Sequence, residues 1–536
     1  MRPPGEGLTE DMTLQHRVVI LGAGFGGVSV ARRLARARLP GLSVEIVDSR
    51  NYFVFQPLLP EVAAGSVTPS DAVTPLRLML PKAKHREAEV LGIDFTRKRV
   101  EVVQGWQRKL VVLPYDELVI ALGQEVSFAR FPGLAEHAFT MRSLSDAFGL
   151  RNHVVDCLEQ AEVSDDPTAR RRLLTFVVIG GGLSGVETLG EMETMLSRAL
   201  AYYPRLDRRD IRLVLAEMQP AILPEVAPGL ATYAARLLHS RGVEILVGVG
   251  VKAAAVGSIE LSDGRVIETA TMVATIGAAP SKLVQALPLP KHQGRILVEP
   301  TLRVAGFSDV WAVGDVAAVP LDSGGFAPPT AQAAVQEGER LAANLLAPLA
   351  GGGSKPFHFE YRGQLASLGG RRGVAEIKGH QFHGRLAWML WRWVYLAMLP
   401  SWATRIRVAV DWGLDWLLPR NIVQIAPPRP SGLHRQRFRR GDVVFRRGDV
   451  CGPFYLVESG SFRRKGGEME GVIGPHGHFG EGVLQGERLR RSSVVAEEDG
   501  FCLVINPEDL RLLAASQEAL RPYFEPPEGG IHQRSA

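Results

Sequence analysis

Two stretches of this chain, RVVILGAGFGGVSVARRLARA and LLTFVVIGGGLSGVETLGEMETML, repeat one order: a buried apolar run, a glycine cluster with GxGxxG spacing, then a helical run. Such a cluster fixes a strand, a tight turn and a helix in succession, and the helix must return the chain to a parallel neighbouring strand. SVEIVD supplies that neighbour in the first copy and IRLVLAE in the second. The predicted class is therefore α/β, with two Rossmann-like dinucleotide-binding domains. At 536 residues the chain has room for roughly three or four domains.

In the first copy Gly22, Gly24 and Gly27 leave space for a tight turn, a close pyrophosphate and close helix packing, and the helix N-terminus faces the phosphates. Asp48 ends the second strand, where a carboxylate accepts from ribose hydroxyls. Gly180, Gly182 and Gly185 form the second loop. Glu217 is its candidate acid, at a wider spacing that requires a longer connecting segment. A carboxylate there disfavours a 2′-phosphate and so favours NADH over NADPH. Two such units on one chain point to a flavoprotein with a nicotinamide partner. Asp315, at the end of VWAVGD, is placed to hold the ribityl hydroxyls of FAD, and the helix after Pro328 and Pro329 aims its positive end at the flavin.

The rest of the composition narrows the chemistry. Cys157, Cys451 and Cys502 lie far apart and form no CxxC, so neither a disulfide framework, a zinc site nor an iron–sulfur cluster is expected, and a reducing, cytosolic setting fits. A net charge of +5 is modest for this length and suits a solvated surface or weak attraction to anionic lipid; no nucleic-acid partner is expected. Residues 1–16 lack the apolar run of a signal peptide, and no uncharged run of 18 apolar residues occurs, so neither export nor a membrane span is expected.

Taken in order, NYFVFQPLLPEVAAG, YDELVIALG, GGGLSGVETLGEM, WAVGDVAA, PPTAQAAVQEG and AWMLWRWVY resemble the type II NADH dehydrogenases, single-chain NADH:quinone oxidoreductases that do not pump protons, over about residues 16–425. The resemblance implies an FAD domain in two parts, 16–140 and 286–355, interrupted by an NADH domain at 141–285 and followed by a membrane-associating segment at 356–425. It assigns Gly22, Gly24, Gly27, Asp48, Gly123 and Asp315 to FAD, and Gly180, Gly182, Gly185, Glu217 and Gly277 to NADH. Glu187 matches a family acid near the nicotinamide and quinone; a carboxylate in the first turn of a helix is also favoured by the helix dipole alone. Gln332 and Gln336 match the family's AQxAxQ quinone motif. Four residues apart, they share a helical face, from which their amides can donate to quinone carbonyls. Homodimerisation through the C-terminal part is a further implication.

Six of the eight tryptophans, Trp388, Trp391, Trp393, Trp402, Trp412 and Trp416, crowd into residues 386–418. The helical run Leu386–Leu399 spans about 21 Å at 1.5 Å per residue, short of a hydrocarbon core of about 30 Å. Arg385 and Arg392 fall on one stripe among apolar residues. This suits a helix lying in the membrane interface on the cytoplasmic side, its arginines reaching phosphates, with Trp412 and Trp416 anchoring a second helix. A buried core or dimer face is the alternative, and both can hold on different faces.

QIAPPRPSGLHRQ reads as a linker. Beyond it, 436–525 changes to short alternating runs broken by glycine and resembles a cyclic-nucleotide-binding domain, a β jelly roll. Glu481 and Arg490 match that family's ribose and cyclic-phosphate contacts, which implies cAMP or cGMP as an effector. Gly482 and Arg491 depart from its pattern, so a degenerate packing module is the alternative. The basic run HRQRFRR is read as a solvated edge or a contact to anionic lipid. The whole is expected to pass hydride from NADH to FAD and electrons on to a membrane quinone. The rivals are a soluble reductase of a protein acceptor, a sulfide:quinone oxidoreductase, and a nucleotide-responsive redox sensor; the dithiol and sulfide chemistries want a cysteine pair that the chain lacks.

Overall fold

The structure is a computed structural model that describes residues 16–506 and 509, apart from 38, 349–350, 419, 421, 424–432, 467–469, 484–486 and 488. Its first sheet has seven strands in the order Val310–Ala312, Glu117–Ile120, His16–Leu21, Leu42–Asp48, Lys84–Asp94, Arg99–Gln104, Lys109–Pro114. The first five pair in parallel and the last two continue as an antiparallel meander. Val18, Val19, Ile20 and Leu21 are all buried, as a strand covered on both faces requires. Helix α1 (Phe25–Ala37) leaves the first glycine loop, and the short helix α2 (Leu59–Ala63) follows the segment Val54–Leu58.

The second sheet is wholly parallel, in the order Ala138–Thr140, Thr271–Ala274, Thr175–Ile179, Arg212–Glu217, Val243–Val247. Its edge strand begins at Ala138, a little before the expected boundary at 141. Ser281, Lys282 and Leu283 already line the cavity of the first unit, so the chain also returns before 285. Helix α3 (Leu183–Ala199) leaves the second glycine loop and continues into two short 3-10 turns at Leu200–Tyr202 and Arg208–Asp210. These supply the longer connection that the position of Glu217 demands. Helix α4 (Ala331–Leu346) packs on α1, where Gly338 lets the two backbones approach beside Gly26.

A three-stranded antiparallel sheet, Gly363–Ser367, Gly373–Ile377 and His380–His383, leads into helices α5 (Gly384–Met398) and α6 (Trp402–Leu417). Among the described residues no helix is long and apolar enough to cross a membrane. The tryptophans divide. Trp388, Trp391 and Trp412 are buried, whereas Trp393, Trp402 and Trp416 are exposed. Exposed Leu386, Met389 and Trp393 share one face of α5, and Trp402, Ile406, Val410 and Leu414 share one face of α6. The expectation that Arg392 reaches phosphates fails: its guanidinium lies inside the protein, over Trp388 at 4.0 Å and Trp412 at 4.6 Å, because a buried carboxylate, Glu61, lies 3.9 Å away. Trp412 likewise faces inward and anchors no second lipid-facing helix.

The C-terminal unit has two four-stranded antiparallel sheets around Phe438, Tyr455, Val457, Phe462, Phe479, Val494 and Val504. Most of the expected linker, and the end of this unit beyond 509, lie outside the described residues. The basic run is a solvated edge only in part: His434, Arg435 and Arg440 are exposed, whereas Arg437 is buried. Arg435 pairs with Glu136 at 3.1 Å and Arg439 with Glu268 at 3.2 Å. Buried Arg437 donates to the Ala254 carbonyl at 3.0 Å, and its own carbonyl accepts from Val256 N–H at 3.1 Å. Strand His434–Phe438 thus fastens the appended unit to the second dinucleotide domain.

Candidate functional site

The two glycine loops are built alike. Gly22 and Gly180 adopt φ of 99° and 105°, a region that side chains rarely enter. Each N–H bonds back to the neighbouring strand, Gly22 to Val47 O at 2.8 Å and Gly180 to Ala216 O at 2.9 Å. A Cβ at Gly27 would run into the carbonyl of Gly22, and one at Gly185 into that of Gly180, so each third glycine seats its helix on the turn. The acids match too. Asp48 accepts from Ala23 N–H at 2.8 Å and from Arg50 N–H at 3.0 Å. Glu217 accepts from Gly181 N–H and, at 2.7 Å, from Gln219 N–H. Each acid thereby braces its glycine turn and stands at the strand end where a ribose would lie.

In the first unit these residues open on a cavity of about 550 Å³ lined by Gly22, Gly24, Asp48, Gly123, Arg142 and Asp315 among others. Gly27 lies behind the loop rather than in the lining. Ala331 and Ala334 bring the N-terminus of α4 to the cavity, as expected for the helix after Pro329. Burial raises the Asp315 carboxyl above its ordinary range, against the pull of Arg142 and Arg295. Neighbouring Glu337, pushed up to about 7 by burial, holds the turn by accepting from Gly314 N–H at 2.6 Å. Glycine turn, strand-end acid, second acid and helix N-terminus line one cavity, and this set fits FAD. Gly277 in the second unit, with φ of 85°, closely faces Ser127 and Phe128.

The two glutamines share a face of α4, but their amides are engaged. Gln336 Nε2 donates to Glu360 O at 2.9 Å while its Oε1 accepts from Glu360 N–H at 3.0 Å. Gln332 donates to Gly363 O at 3.4 Å and accepts from Arg362 N–H at 3.2 Å. In this arrangement each amide spends its oxygen and one of its two N–H donors on the segment entering strand Gly363–Ser367.

That strand ends at a cluster of buried acids. Glu187 Oε1 accepts from Ser367 N–H at 3.0 Å and from the Trp391 indole at 3.0 Å. Burial pushes its carboxyl up to about 8, the two donors oppose this, and the charges of Glu61 and Glu191 add to it. Glu61, on α2, accepts from the Trp412 indole at 2.8 Å and is also pushed up to about 8, by burial and then by Glu191. Sequence reasoning missed Glu61 and Ser367. The available signal was one acid inside the apolar run PLLPEVAA.

In the appended unit Arg490 is buried. It donates to Gly480 O at 3.1 Å and Pro453 O at 2.8 Å and lies 4.1 Å over Phe445. Glu481 is paired with Arg464 at 2.8 Å. Both candidate nucleotide contacts therefore have partners within the protein.

Comparison with known proteins follows this division. Residues 16–338 match the pyridine nucleotide-disulphide oxidoreductase family, 361–421 the NDH2 C-terminal domain, and 435–517 the cyclic nucleotide-binding domain. The type II NADH:quinone oxidoreductase Ndh of Mycobacterium tuberculosis is 33% identical over 422 residues, 76% of this chain and 89% of that protein. The internal alternative NAD(P)H-ubiquinone oxidoreductase A1 of Arabidopsis thaliana mitochondria is 30% identical over 76% of this chain and 86% of its own. The structure of NDH2 from Plasmodium falciparum in complex with NADH superposes with a TM-score of 0.71 at 19% identity, over 76% of this chain and 100% of that one. The sulfide:quinone oxidoreductase of Aquifex aeolicus gives 0.57 at 17% identity, over 77% and 93%, and so shares the fold.

Proposed function

The chain belongs to the pyridine nucleotide-disulphide oxidoreductases and, among them, to the type II NADH:quinone oxidoreductases, and from that membership we propose how its residues divide the work. The enzyme moves electrons from NADH to a quinone without pumping protons. FAD, when bound, would supply the two-electron chemistry between NADH and the quinone. Gly22, Gly24, Asp48, Gly123 and Asp315 hold FAD, and Gly27 keeps α1 seated against the loop. Gly180, Gly182, Gly185, Glu217 and Gly277 hold the dinucleotide of NADH, and the Glu217 carboxylate repels a 2′-phosphate and selects against NADPH.

Gln332 and Gln336 set the quinone end of the site by fixing residues 360–363, and Glu187 faces it as the acid. The apolar stripes of α5 and α6 rest on the membrane surface, which places the protein peripherally on the cytoplasmic side and lets quinone enter from lipid. Homodimerisation through the C-terminal part fits the same reading. The appended unit is a jelly roll fastened to the NADH domain. For cAMP or cGMP to act through it, Arg490 must first leave the carbonyls of Gly480 and Pro453.

The observation that carries this reading is the pair of matched acid-braced glycine loops, one of them opening on the cavity that fits a flavin. Anaerobic stopped-flow tests it: NADH should bleach the flavin, and a short-chain quinone should restore its absorbance. Prompt bleaching with no recovery would point instead to a protein acceptor.

A further inference from the structure

The two glycine loops, otherwise built alike, differ at their second glycine. That residue lacks a side chain so that a pyrophosphate can come close to the backbone. On Gly24, in the lining of the cavity that fits FAD, a Cβ would meet no atom within 4 Å. On Gly182 a Cβ would stand 2.9 Å from Oε1 and 3.9 Å from Oε2 of Glu225. A carboxylate thus fills in the second loop the space that the first leaves open. Gly182 is also the N-cap of α3, and no side chain caps that end. The first N–H groups of the helix and its positive pole therefore face the same space as Glu225.

The segment that carries Glu225 is tied down. It leaves the strand after Glu217 and returns over the glycine loop, where Leu223 N–H donates to Gly181 O at 2.7 Å. Ile222 is buried against Gly181, its Cγ2 3.1 Å from where a Cβ would stand. Leu223 is itself buried, with φ of 52°, a left-handed conformation that costs a non-glycine residue energy and persists only where its surroundings hold it. Val226 N–H closes the turn on Leu223 O at 3.2 Å. Two acids thereby serve one loop: Glu217 braces Gly181 N–H from the strand end, and Glu225 lies against Gly182.

A pyrophosphate and a carboxylate repel each other and compete for one helix end. We propose that Glu225 sets the affinity for the dinucleotide, because NADH must displace this carboxylate from the pyrophosphate seat in order to bind. The proposal rests on the reading of the second loop as the NADH site. The pyrophosphate is common to NADH and NADPH, so Glu225 weakens both by one factor and leaves the choice between them to Glu217.

The probes are ADP-ribose and its 2′-phosphate, which carry the adenosine and pyrophosphate of the two dinucleotides and cannot reduce a flavin. In calorimetry of the FAD-loaded full chain, E225Q should bind each about tenfold more tightly than the wild type does. E225A, which empties the space as well as removing the charge, should gain at least as much and serves if E225Q does not fold; an unaltered flavin spectrum checks folding in both. The KM for NADH should fall in the same variants. Equal affinity in the wild type and the variants overturns the proposal, since the side chain then moves aside at no cost. Weaker binding by the variants overturns it too, by making Glu225 a contact that holds the ligand. A gain confined to the 2′-phosphate would place the charge at the ribose and likewise overturn it. Failure of the wild type and both variants to bind ADP-ribose would sink the assignment of the loop to NADH, and the proposal with it.

Discussion

The Trp391 indole N–H donates to Glu187 Oε1 at 3.0 Å, so an aromatic from the tryptophan-rich segment steers a buried acid of helix α3. A donor to a carboxyl favours its charged form. Trp391→Phe keeps most of the packing and removes that donor, so the Glu187 carboxyl should rise above its present value of about 8. If Glu187 is the acid of the quinone step, the pH midpoint of flavin reoxidation should then move to the alkaline side in stopped-flow. Leaving a buried group short of a partner costs about 1–3 kcal/mol, which denaturant unfolding should register.

What the sequence could and could not disclose follows from range. The glycine turns and Asp48 were legible because the turn, the helix seat and the bracing acid lie within one βαβ unit. Glu217 was found despite its spacing because the strand end carries the signal wherever the connection wanders. In the segment 386–418 helical periodicity could not say which apolar face is covered, so burial and exposure both stayed open, and both occur. Arg392 was placed at lipid because Glu61, its partner, lies far away along the chain. The shared face of Gln332 and Gln336 was right, but their bonds to 360–363 are tertiary and left no local trace.

Gln336 exchanges two hydrogen bonds with the backbone of Glu360. Gln336→Ala breaks both, each worth about 1 kcal/mol, and loosens the strand that presents Ser367 to Glu187. Reoxidation by quinone should slow about tenfold while reduction by NADH changes little. Amide hydrogen exchange at Glu360 and Arg362 should quicken in the same variant. Unchanged exchange beside a slowed quinone step would instead make Gln336 a direct donor.

The appended unit is also held by His137, whose Nε2 accepts from Arg437 N–H at 3.1 Å and must stay unprotonated to do so. Burial pushes this imidazole down to about 4, against about 6.5 when exposed. A depressed base contributes stability that is complete above the exposed value and is lost as pH falls through the folded one. The docking should therefore weaken between about pH 6.5 and 4, by about 3 kcal/mol at most. Melting curves across that range should show a shallower pH slope in His137→Gln; parallel slopes would refute the role.

Trp393, Trp402 and Trp416 are exposed whereas Trp388, Trp391 and Trp412 are buried, so the two sets should fail differently. Replacing the exposed three by alanine should lower partitioning into anionic liposomes by about two orders of magnitude or more, at about 1.5–3 kcal/mol for each large side chain withdrawn from water. The melting temperature should hardly move. Trp412→Ala removes a buried ring and the Glu61 partner, and should cost about 3–5 kcal/mol of stability with less effect on lipid binding. Co-sedimentation and thermal denaturation of the same samples separate the two.

Arg490 decides whether the appended unit senses a nucleotide or serves as a fixture. Its two carbonyl contacts, at 3.1 and 2.8 Å, join the backbones of Gly480 and Pro453, and its guanidinium covers Phe445. Hydrogen bonds from a charged donor are worth about 1.5–3 kcal/mol each. A cyclic phosphate drawing Arg490 away must therefore replace both, which weakens binding by about a hundredfold or more relative to a site whose arginine is free. Calorimetry of the full-length, FAD-loaded protein with cAMP and with cGMP should give heats too small to fit at micromolar protein. Arg490→Ala should lower the melting transition of the unit even without nucleotide, because two carbonyls lose their donor. A tight, saturable isotherm abolished by Arg490→Ala, with no loss of melting temperature, would make the arginine a ligand contact and the unit a sensor.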